Sequence, residues 1–295
     1  MNAPGLTDEL LRSGFMAMVK PGIAVRGRTR DGAGVRRPRS APSLRALRGL
    51  IVPALLLVLW QVVVARGTYS RGQLASPLDV VAAARELATA GLLVPNLVAS
   101  LQRVFLGFAL GGGIAVLLGL IVGGSRTVEA LLGPTLQAIR AIPSLAWVPL
   151  LLLWLGFGEL PKIILVAIGV FFPVYANLVG GIRQIDRKLI EVGRAYGLDG
   201  VHLAREVMLP AALPSLLTGL RLGLAQGWLF LVAAELLGAF TGLGFLLIDA
   251  QNTGRVDIIL LCILLLALLG KLSDSLLHLL ERRLLRWTDT FRGGA

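Results

Sequence analysis

Six long apolar runs constrain this chain more than any other feature of its sequence. They cover residues 48–65, 101–124, 133–157, 162–182, 213–238 and 256–276. A helix needs about 20 apolar residues to cross the hydrocarbon core of a bilayer, and each run is near that length. A helix also satisfies its backbone hydrogen bonds within its own segment, as hydrocarbon requires. The runs therefore predict an all-α integral membrane protein with six transmembrane helices.

The composition excludes an ordinary soluble domain and argues against a nucleic-acid-binding protein. Hydrophobic residues make up 56% of the 295 residues and charged residues 16%, and the mean hydropathy is +0.79. The formal net charge of +12 comes from basic residues that lie between the apolar runs. Nucleic-acid binding would need those residues on one face of a soluble fold. Their positions instead indicate orientation in a membrane, with contact to lipid headgroups.

Basic residues are concentrated in three segments, which predict that orientation. The first 50 residues hold ten Lys or Arg, residues 183–205 are rich in them, and Arg282, Arg283 and Arg286 lie near the end. Short loops rich in Lys and Arg stay on the cytoplasmic side, so both termini are predicted to be cytoplasmic. The first apolar run starts too late for a cleaved secretory signal, so we expect a retained span.

The runs also divide the chain into regions. Residues 1–47 predict a basic, disordered tail, and residues 48–75 predict the first span with an outer loop. Residues 76–287 predict the rest of the core, which includes a cytoplasmic loop at 183–212, and residues 288–295 form a second tail.

A helix that does not span the membrane is predicted between Ser76 and Gly91, on the outer side. Ser76 is a suitable N-cap, Pro77 suits the first helical position, and Asp79 favours the positive end of the helix dipole.

The loop 183–212 is too polar to enter lipid, yet it contains helix-forming residues on both sides of 197–200. We expect a helix, a turn and a second helix. Pro210 and Pro214 are predicted to end the second helix before the fifth span begins.

The same loop resembles the permease subunits of ABC importers. Their pattern reads Glu-Ala-Ala, a Gly six residues after the Glu, and later an aliphatic residue, any residue, Leu and Pro. Glu191, Gly197, Val207, Leu209 and Pro210 match it in type and spacing. Two departures, Val192 and Gly193, stand at the alanine positions and predict a slightly altered helix with a retained docking role. The simpler alternative is an ordinary solvated loop.

The resemblance implies the type I ABC importer permease fold, in a bacterial inner membrane, with no catalytic residue and no metal in this chain. ATP and Mg would be bound by a cytoplasmic ABC ATPase dimer, substrate would arrive on an extracytoplasmic binding protein, and the permease would form a homodimer. On this view the ATPase-coupling residues are Glu191, Arg194, Ala195, Tyr196, Gly197, Leu198, Val201, Val207, Leu209 and Pro210. Leu203 is a further expected apolar anchor.

Other segments resemble the nitrate, sulfonate and taurine branch of these permeases. They are 154–159, 172–177, Ala234 with Glu235, 242–244 and 280–283. The branch implies a small anionic cargo such as an alkanesulfonate, taurine or nitrate, although related permeases carry pyrimidine-type vitamin precursors. The binding protein largely selects the cargo, so the permease sequence leaves it open.

Polar residues inside the spans are candidates for the translocation pathway, because an ionisable group in hydrocarbon is costly. The candidates are Trp154, Tyr175, Asn177, Gln226 and Glu235, with Pro173 expected to open the fourth span. Hydrogen bonding between helices is the alternative role for the polar ones. Glycines four residues apart, at 107 and 111, 119 and 123, and 219 and 223, predict close helix contacts.

Two other classes of function are alternatives for a chain of this composition. An enzyme finds little support, because His202 and His278 lack metal-ligand spacing and Gly270-Lys271 lacks a phosphate-binding loop. An ion-coupled secondary transporter or channel is the serious alternative, with Glu235 as its only candidate coupling carboxylate. Such a carrier would work without an ATPase.

Overall fold

The computed structural model describes residues 42–67, 70 and 72–285. Two compact units divide between Ile51 and Val52. In the first unit the described residues are 42–51, and all are helical. Most of the predicted basic tail and the whole of 288–295 lie outside the described residues, so their predictions are untested.

All regular secondary structure in the described part of the chain is helical, as predicted. The α-helices are α1 (Pro42–Ala65), α2 (Pro77–Thr89), α3 (Leu93–Gly124), α4 (Arg126–Ala141), α5 (Trp147–Leu155), α6 (Glu159–Arg183), α7 (Arg187–Ala195), α8 (Gly200–Leu203), α9 (Leu209–Gly238), α10 (Leu243–Asn252) and α11 (Val256–Leu284). A 3₁₀ turn, Ser144–Ala146, precedes α5, and a π-helical segment, Ala204–Met208, joins α8 to α9.

Four helices in the described residues are long and apolar enough to cross a membrane. They are α3, α6, the continuous segment Gly200–Leu236 and α11. A bent pair, Arg126–Ala141 with Ser144–Leu155, raises the count to five if it forms one span. The apolar part of α1, Ile51–Ala65, is shorter than the length that a span requires. The predicted count of six is therefore not confirmed.

The predicted third span, 133–157, is not one helix. Its two parts meet at an angle of 79°. Ile142 has φ −71° and ψ 124°, which is extended backbone, and Pro143 follows it. The proline ring disfavours the helical conformation in the preceding residue and removes a backbone donor. The apolar composition continues across the break, and Pro143 is the residue that marks it in the sequence.

The prediction that Pro210 and Pro214 end a helix is wrong, because the helix continues through both into α9. The π-helical segment accounts for Pro210, because the N–H of Leu209 bonds to the carbonyl of Ala204, five residues back, whereas Pro214 lies within the regular part of α9. Pro210 lies in the first turn of α9, where backbone hydrogen bonds to the fourth residue back resume after the π-helical segment. Its missing N–H donor is tolerated at this change of pattern. The fifth helix thus begins well before the predicted residue 213.

The core is built on α6, which packs between α3 and α9. A Cβ added at Gly107 of α3 would lie 2.5 Å from Val166 of α6, and one at Gly223 of α9 would lie 2.9 Å from Val174. The predicted close approach of small residues is confirmed, and it allows the three helices to bury valines at their contacts.

A second cluster joins α2, α10 and α11. Ser76 and Asp79 form the predicted capping box at the start of α2, where the Asp79 N–H donates to the Ser76 hydroxyl at 3.1 Å. Arg255 connects this helix to α11, because its guanidinium bonds to both Glu86 and Asp257. The same guanidinium lowers the pKa of Glu86.

Candidate functional site

The loop predicted to couple to an ATPase, residues 183–212 (the coupling loop), has the predicted helix, turn and helix. Asp186 caps α7 by accepting from the Lys188 N–H at 2.9 Å. Gly197 and Gly200 reverse the chain with φ of +78° and +45°. Side chains other than Gly adopt these left-handed values at a cost, so the glycines fix the turn.

The outer face of the coupling loop is apolar and exposed. Tyr196 and Val201 are 83% and 79% exposed, and Leu189 and Val192 on α7 are about half exposed. On α7 these residues are three or four positions apart and share one face. The same loop also exposes charged side chains of both signs: Arg187, Lys188, Arg194 and Arg205, and Asp186, Glu191, Asp199 and Glu206. A continuous apolar face of this kind on a polar loop indicates an interaction surface.

The inner face of the same loop packs against the chain itself. Leu203 is buried in the main core, so it is not available as an anchor for a partner, contrary to the prediction. A Cβ on Gly193 would lie 2.8 Å from Leu203 and 3.1 Å from Val207. This contact explains a very small residue at 193, whereas Val192 points outward and its extra size is tolerated.

The remaining predicted coupling residues lie on both faces. Glu191 is exposed and pairs with Arg187 at 2.8 Å. Leu198, Val207 and Leu209 are half-buried against the core. Ala195, Gly197 and Pro210 are exposed.

The predicted pathway residues do not share one cavity. Tyr175 lines a cavity of about 670 Å³ between α4 and α6, which none of the other four residues lines. Asn177 donates to the Pro173 carbonyl of its own helix at 2.8 Å, and α6 does not open at this proline. Trp154 and Gln226 are exposed, on α5 and α9 respectively.

A buried ion network lies at the opposite end of α6 and α9 from the coupling loop. Arg103 on α3 is 2% exposed, and its guanidinium donates hydrogen bonds to three residues. It donates to Glu235 at 2.6 Å, to Glu159 at 2.5 and 2.8 Å, and to both oxygens of Thr241 at 2.6 and 2.8 Å. Lys162 pairs with Glu159 at 3.0 Å.

Glu235 is fully buried, and both of its carboxylate oxygens accept hydrogen bonds within the described chain. Ser100 donates to it at 2.9 Å and the Gly244 N–H donates at 2.8 Å. The neighbouring Gly242 N–H donates to Asn96 at 2.6 Å. The network therefore ties α3 and the end of α9 to the segment that begins α10.

The sequence reasoning missed Arg103, Ser100 and Asn96. A usable signal existed, because Arg103 is the one charged residue of the predicted second span and Glu235 the only acid of the fifth. Lone charges of opposite sign in two spans predict a buried pair, since each would otherwise be unpaired in hydrocarbon. Arg221, by contrast, pairs with Asp274 at 3.0 Å and Glu281 at 3.2 Å on α11.

Comparison with known proteins decides the family. Residues 115–286 match the family described as binding-protein-dependent transport system inner membrane component. The chain belongs to this family. It is thus a transport permease rather than an enzyme in its own right, and it is a member of a class of multi-pass inner-membrane proteins that work with binding proteins and ATPases.

Three relatives illustrate the branch. A protein named as the aliphatic sulfonates transport permease SsuC of Bacillus subtilis is 42% identical over 84% of this chain and 90% of its own length. The taurine transport permease TauC of Escherichia coli is 36% identical over 65% of this chain and 70% of its own length. The nitrate import permease NrtB of Synechocystis is 31% identical over 81% of this chain and 89% of its own length. The predicted branch is confirmed.

A solved structure of the MetNI methionine ABC transporter, in inward-facing conformations, supports the fold. It matches with a TM-score of 0.51 and 25% identity, and the match covers 65% of this chain and 97% of the other. The predicted ABC importer permease architecture is therefore confirmed, without the count of six spans.

Proposed function

We propose that this permease couples to a separate cytoplasmic ABC ATPase through the coupling loop and imports a small organic anion. The observation that carries the proposal is the exposed apolar face of that loop, with Tyr196 and Val201 at its centre. A short helix laid in a groove of a partner is a common mode of recognition, and buried aromatic side chains usually dominate its energy.

The exposed cations of the loop indicate part of the chemistry of the partner surface. Arg187, Lys188, Arg194 and Arg205 are all exposed. A partner groove with an apolar floor and an acidic rim would complement them. Glu191 and Arg194 would fix the register of the helix, and the loop would transmit closure of an ATPase dimer that binds ATP and Mg.

The orientation follows from the same loop. If residues 183–212 face the ATPase, the positive charge of the loop is cytoplasmic, as the positive-inside rule predicts. We propose that both termini lie on that side. The opposite end, with Glu159 and α2, would receive the extracytoplasmic binding protein.

The names of the relatives support an organic sulfonate or a related small anion as the cargo. We propose a homodimer with the pathway between the two copies. Trp154, Tyr175 and Gln226 are exposed or half-buried, which supports their place in the pathway. Asn177 and Glu235 are hydrogen-bonded within the chain and lack that support.

The test is uptake of a labelled alkanesulfonate into vesicles that hold this chain, its ATPase and its binding protein. We expect Tyr196→Ala with Val201→Ala to abolish ATPase association and uptake while the chain still inserts. Leu268→Ala, which removes an exposed side chain in the middle of α11, is the matched control and should transport normally.

The alternative, an ion-coupled carrier, predicts the opposite result. Uptake would then continue without the ATPase and with the coupling loop altered. That outcome would refute the proposed function.

A further inference from the structure

Helices α4 and α6 stand apart along a groove made of two adjoining cavities. The first, of about 670 Å³, lies toward Arg183 and the start of the coupling loop. The second, of about 460 Å³, lies toward the break after α4. Leu136 and Phe172 line both, so the two cavities adjoin. No residue of α4 is buried, which leaves its groove side open.

The first cavity carries an excess of positive charge. Three arginines line it, at 126, 140 and 183, against a single acid, Glu129. Glu129 pairs with Arg183, which neutralises one of the three. Among the described residues, Arg126 and Arg140 make no ion pair. A concave surface with two uncompensated cations attracts anions.

Two neutral donors line the same cavity. Gln137 lies three residues before Arg140 on α4, and the two share a face of the helix. Tyr175 lies across from them on α6. Neither the Gln137 amide nor the Tyr175 hydroxyl has a hydrogen-bond partner within the described chain. A sulfonate, with one negative charge and three acceptor oxygens, matches these unpaired donors.

The second cavity has a different chemistry. Its lining is almost wholly apolar and includes Ile114, Ile139, Trp147 and Phe171. An aliphatic chain that entered it would leave water, and the gain grows with each methylene group buried. The groove as a whole therefore fits a molecule with an anionic head and an aliphatic tail.

We propose that this groove binds the cargo of the permease, with the sulfonate head at Arg140, Gln137 and Tyr175 and the aliphatic tail between Ile139 and Phe171. This inference rests on the proposed function and deepens it by assigning the site. An anionic lipid has the same head and tail chemistry. The cargo is favoured because the polar cavity lies at the end of α6 that leads into the coupling loop, where a transported solute would leave.

The test uses thiol labelling, because the one cysteine of the chain, Cys262, is fully buried. Ala176 lines the polar cavity, so Ala176→Cys places a single reactive thiol there. The permease with its ATPase, in nanodiscs of zwitterionic lipid, is treated with an anionic or a cationic methanethiosulfonate reagent. Leu78→Cys, on the exposed start of α2, provides the reference rates.

We expect the ratio of anionic to cationic labelling at Ala176→Cys to be at least fivefold above that at Leu78→Cys. Adding Arg140→Gln should reduce this preference at least threefold. Arg85→Gln, the same change of charge on exposed α2, should leave it unaltered. Octanesulfonate should protect the thiol at concentrations at least tenfold lower than methanesulfonate, and Ile139→Trp should remove that difference.

Equal labelling by both reagents, or an equal effect of Arg85→Gln, would overturn the proposal. Protection by phosphatidylglycerol nanodiscs alone, with none from octanesulfonate, would assign the groove to lipid and also overturn it. The labelling needs no ATP, so its failure is distinct from failure of the proposed function. Uptake that depends on ATP, together with unselective labelling, would reject the groove alone.

Discussion

The two ends of helices α6 and α9 carry their charged side chains in opposite ways. At one end Arg103 and Glu235 are buried, and each of their polar atoms is bonded within the chain. At the other end Arg187 and Glu191 pair on the surface of the coupling loop, where water competes for both. The first arrangement fixes three helices to one another, and the second leaves a surface free for a partner.

The difference follows from the cost of removing a charge from water. A buried charge is tolerated only when it is paired and its remaining donors are bonded, so the network has one stable geometry. An exposed pair gains little and can be exchanged for a partner without penalty. Stability should therefore depend on the buried end and coupling on the exposed end.

The largest effect is expected from Glu235→Ala. It removes one of the two acidic partners of the buried Arg103 and leaves only Glu159, which is 59% exposed. Breaking a buried pair costs about 3–5 kcal/mol, and the remaining pair with Glu159 places the loss near the lower end of that range. Denaturant titration of the purified chain in detergent measures the loss of unfolding free energy.

The control is Glu206→Ala, because Glu206 is exposed on the coupling loop and its removal should lower the unfolding free energy only slightly. The double variant Arg103→Met with Glu235→Leu should recover much of the stability, because no unpaired charge is then buried at this pair. Wild-type stability in Glu235→Ala alone would show that the network does not fix the helices.

A smaller loss is expected from Gly111→Val. A Cβ at this position would lie 2.8 Å from the Ala167 Cα, and backbone cannot move aside as a side chain can. Overpacking of this kind typically costs about 1–3 kcal/mol. Gly113→Val is a matched control on the same helix, because nothing lies within 4 Å of its added Cβ. Equal losses in both variants would contradict the proposed tight contact of α3 with α6.

Features that depend on neighbouring residues can be predicted from the sequence, whereas contacts between distant residues cannot be located in this way. The capping box at Ser76, the glycine pairs and the turn at Gly197 were predictable because each depends on residues close together in sequence. The Arg103–Glu235 pair depends on residues 132 positions apart. The lone charges of the two spans indicate that a pair forms, but neither span by itself gives the depth and helix face at which the two side chains meet.

The two errors in the helices have local causes that apolar content conceals. Pro143 breaks the predicted third span, whereas Pro210 does not end a helix, because a π-helical turn precedes it. The effect of a proline thus depends on the hydrogen bonds around it. The sequence of the coupling loop likewise does not distinguish the apolar residues that face outward from those that face the core. The prediction that Leu203 faces a partner is wrong for this reason.

An intermediate effect is expected from Gly197→Ala in the coupling loop. Its φ of +78° is unfavourable for a residue with a Cβ, at a cost of about 1–2 kcal/mol. The cost should appear as faster amide hydrogen exchange between 196 and 203 and weaker ATPase binding. Gly180→Ala, at a helical position with open space around it, should not change either measurement. Unchanged exchange in Gly197→Ala would show that the turn tolerates a side chain.

The smallest effect on stability is expected from Arg187→Gln. Arg187 is 90% exposed, and its pair with Glu191 spans one turn of α7. Such pairs contribute about 0.5 kcal/mol or less, so the unfolding midpoint should barely move. Binding of the ATPase should nevertheless weaken and lose part of its salt dependence, because Arg187 borders the apolar face. A loss of stability comparable to that of Glu235→Ala would mean that both ends hold the helices together, and the division between a fixed end and a free end would fail.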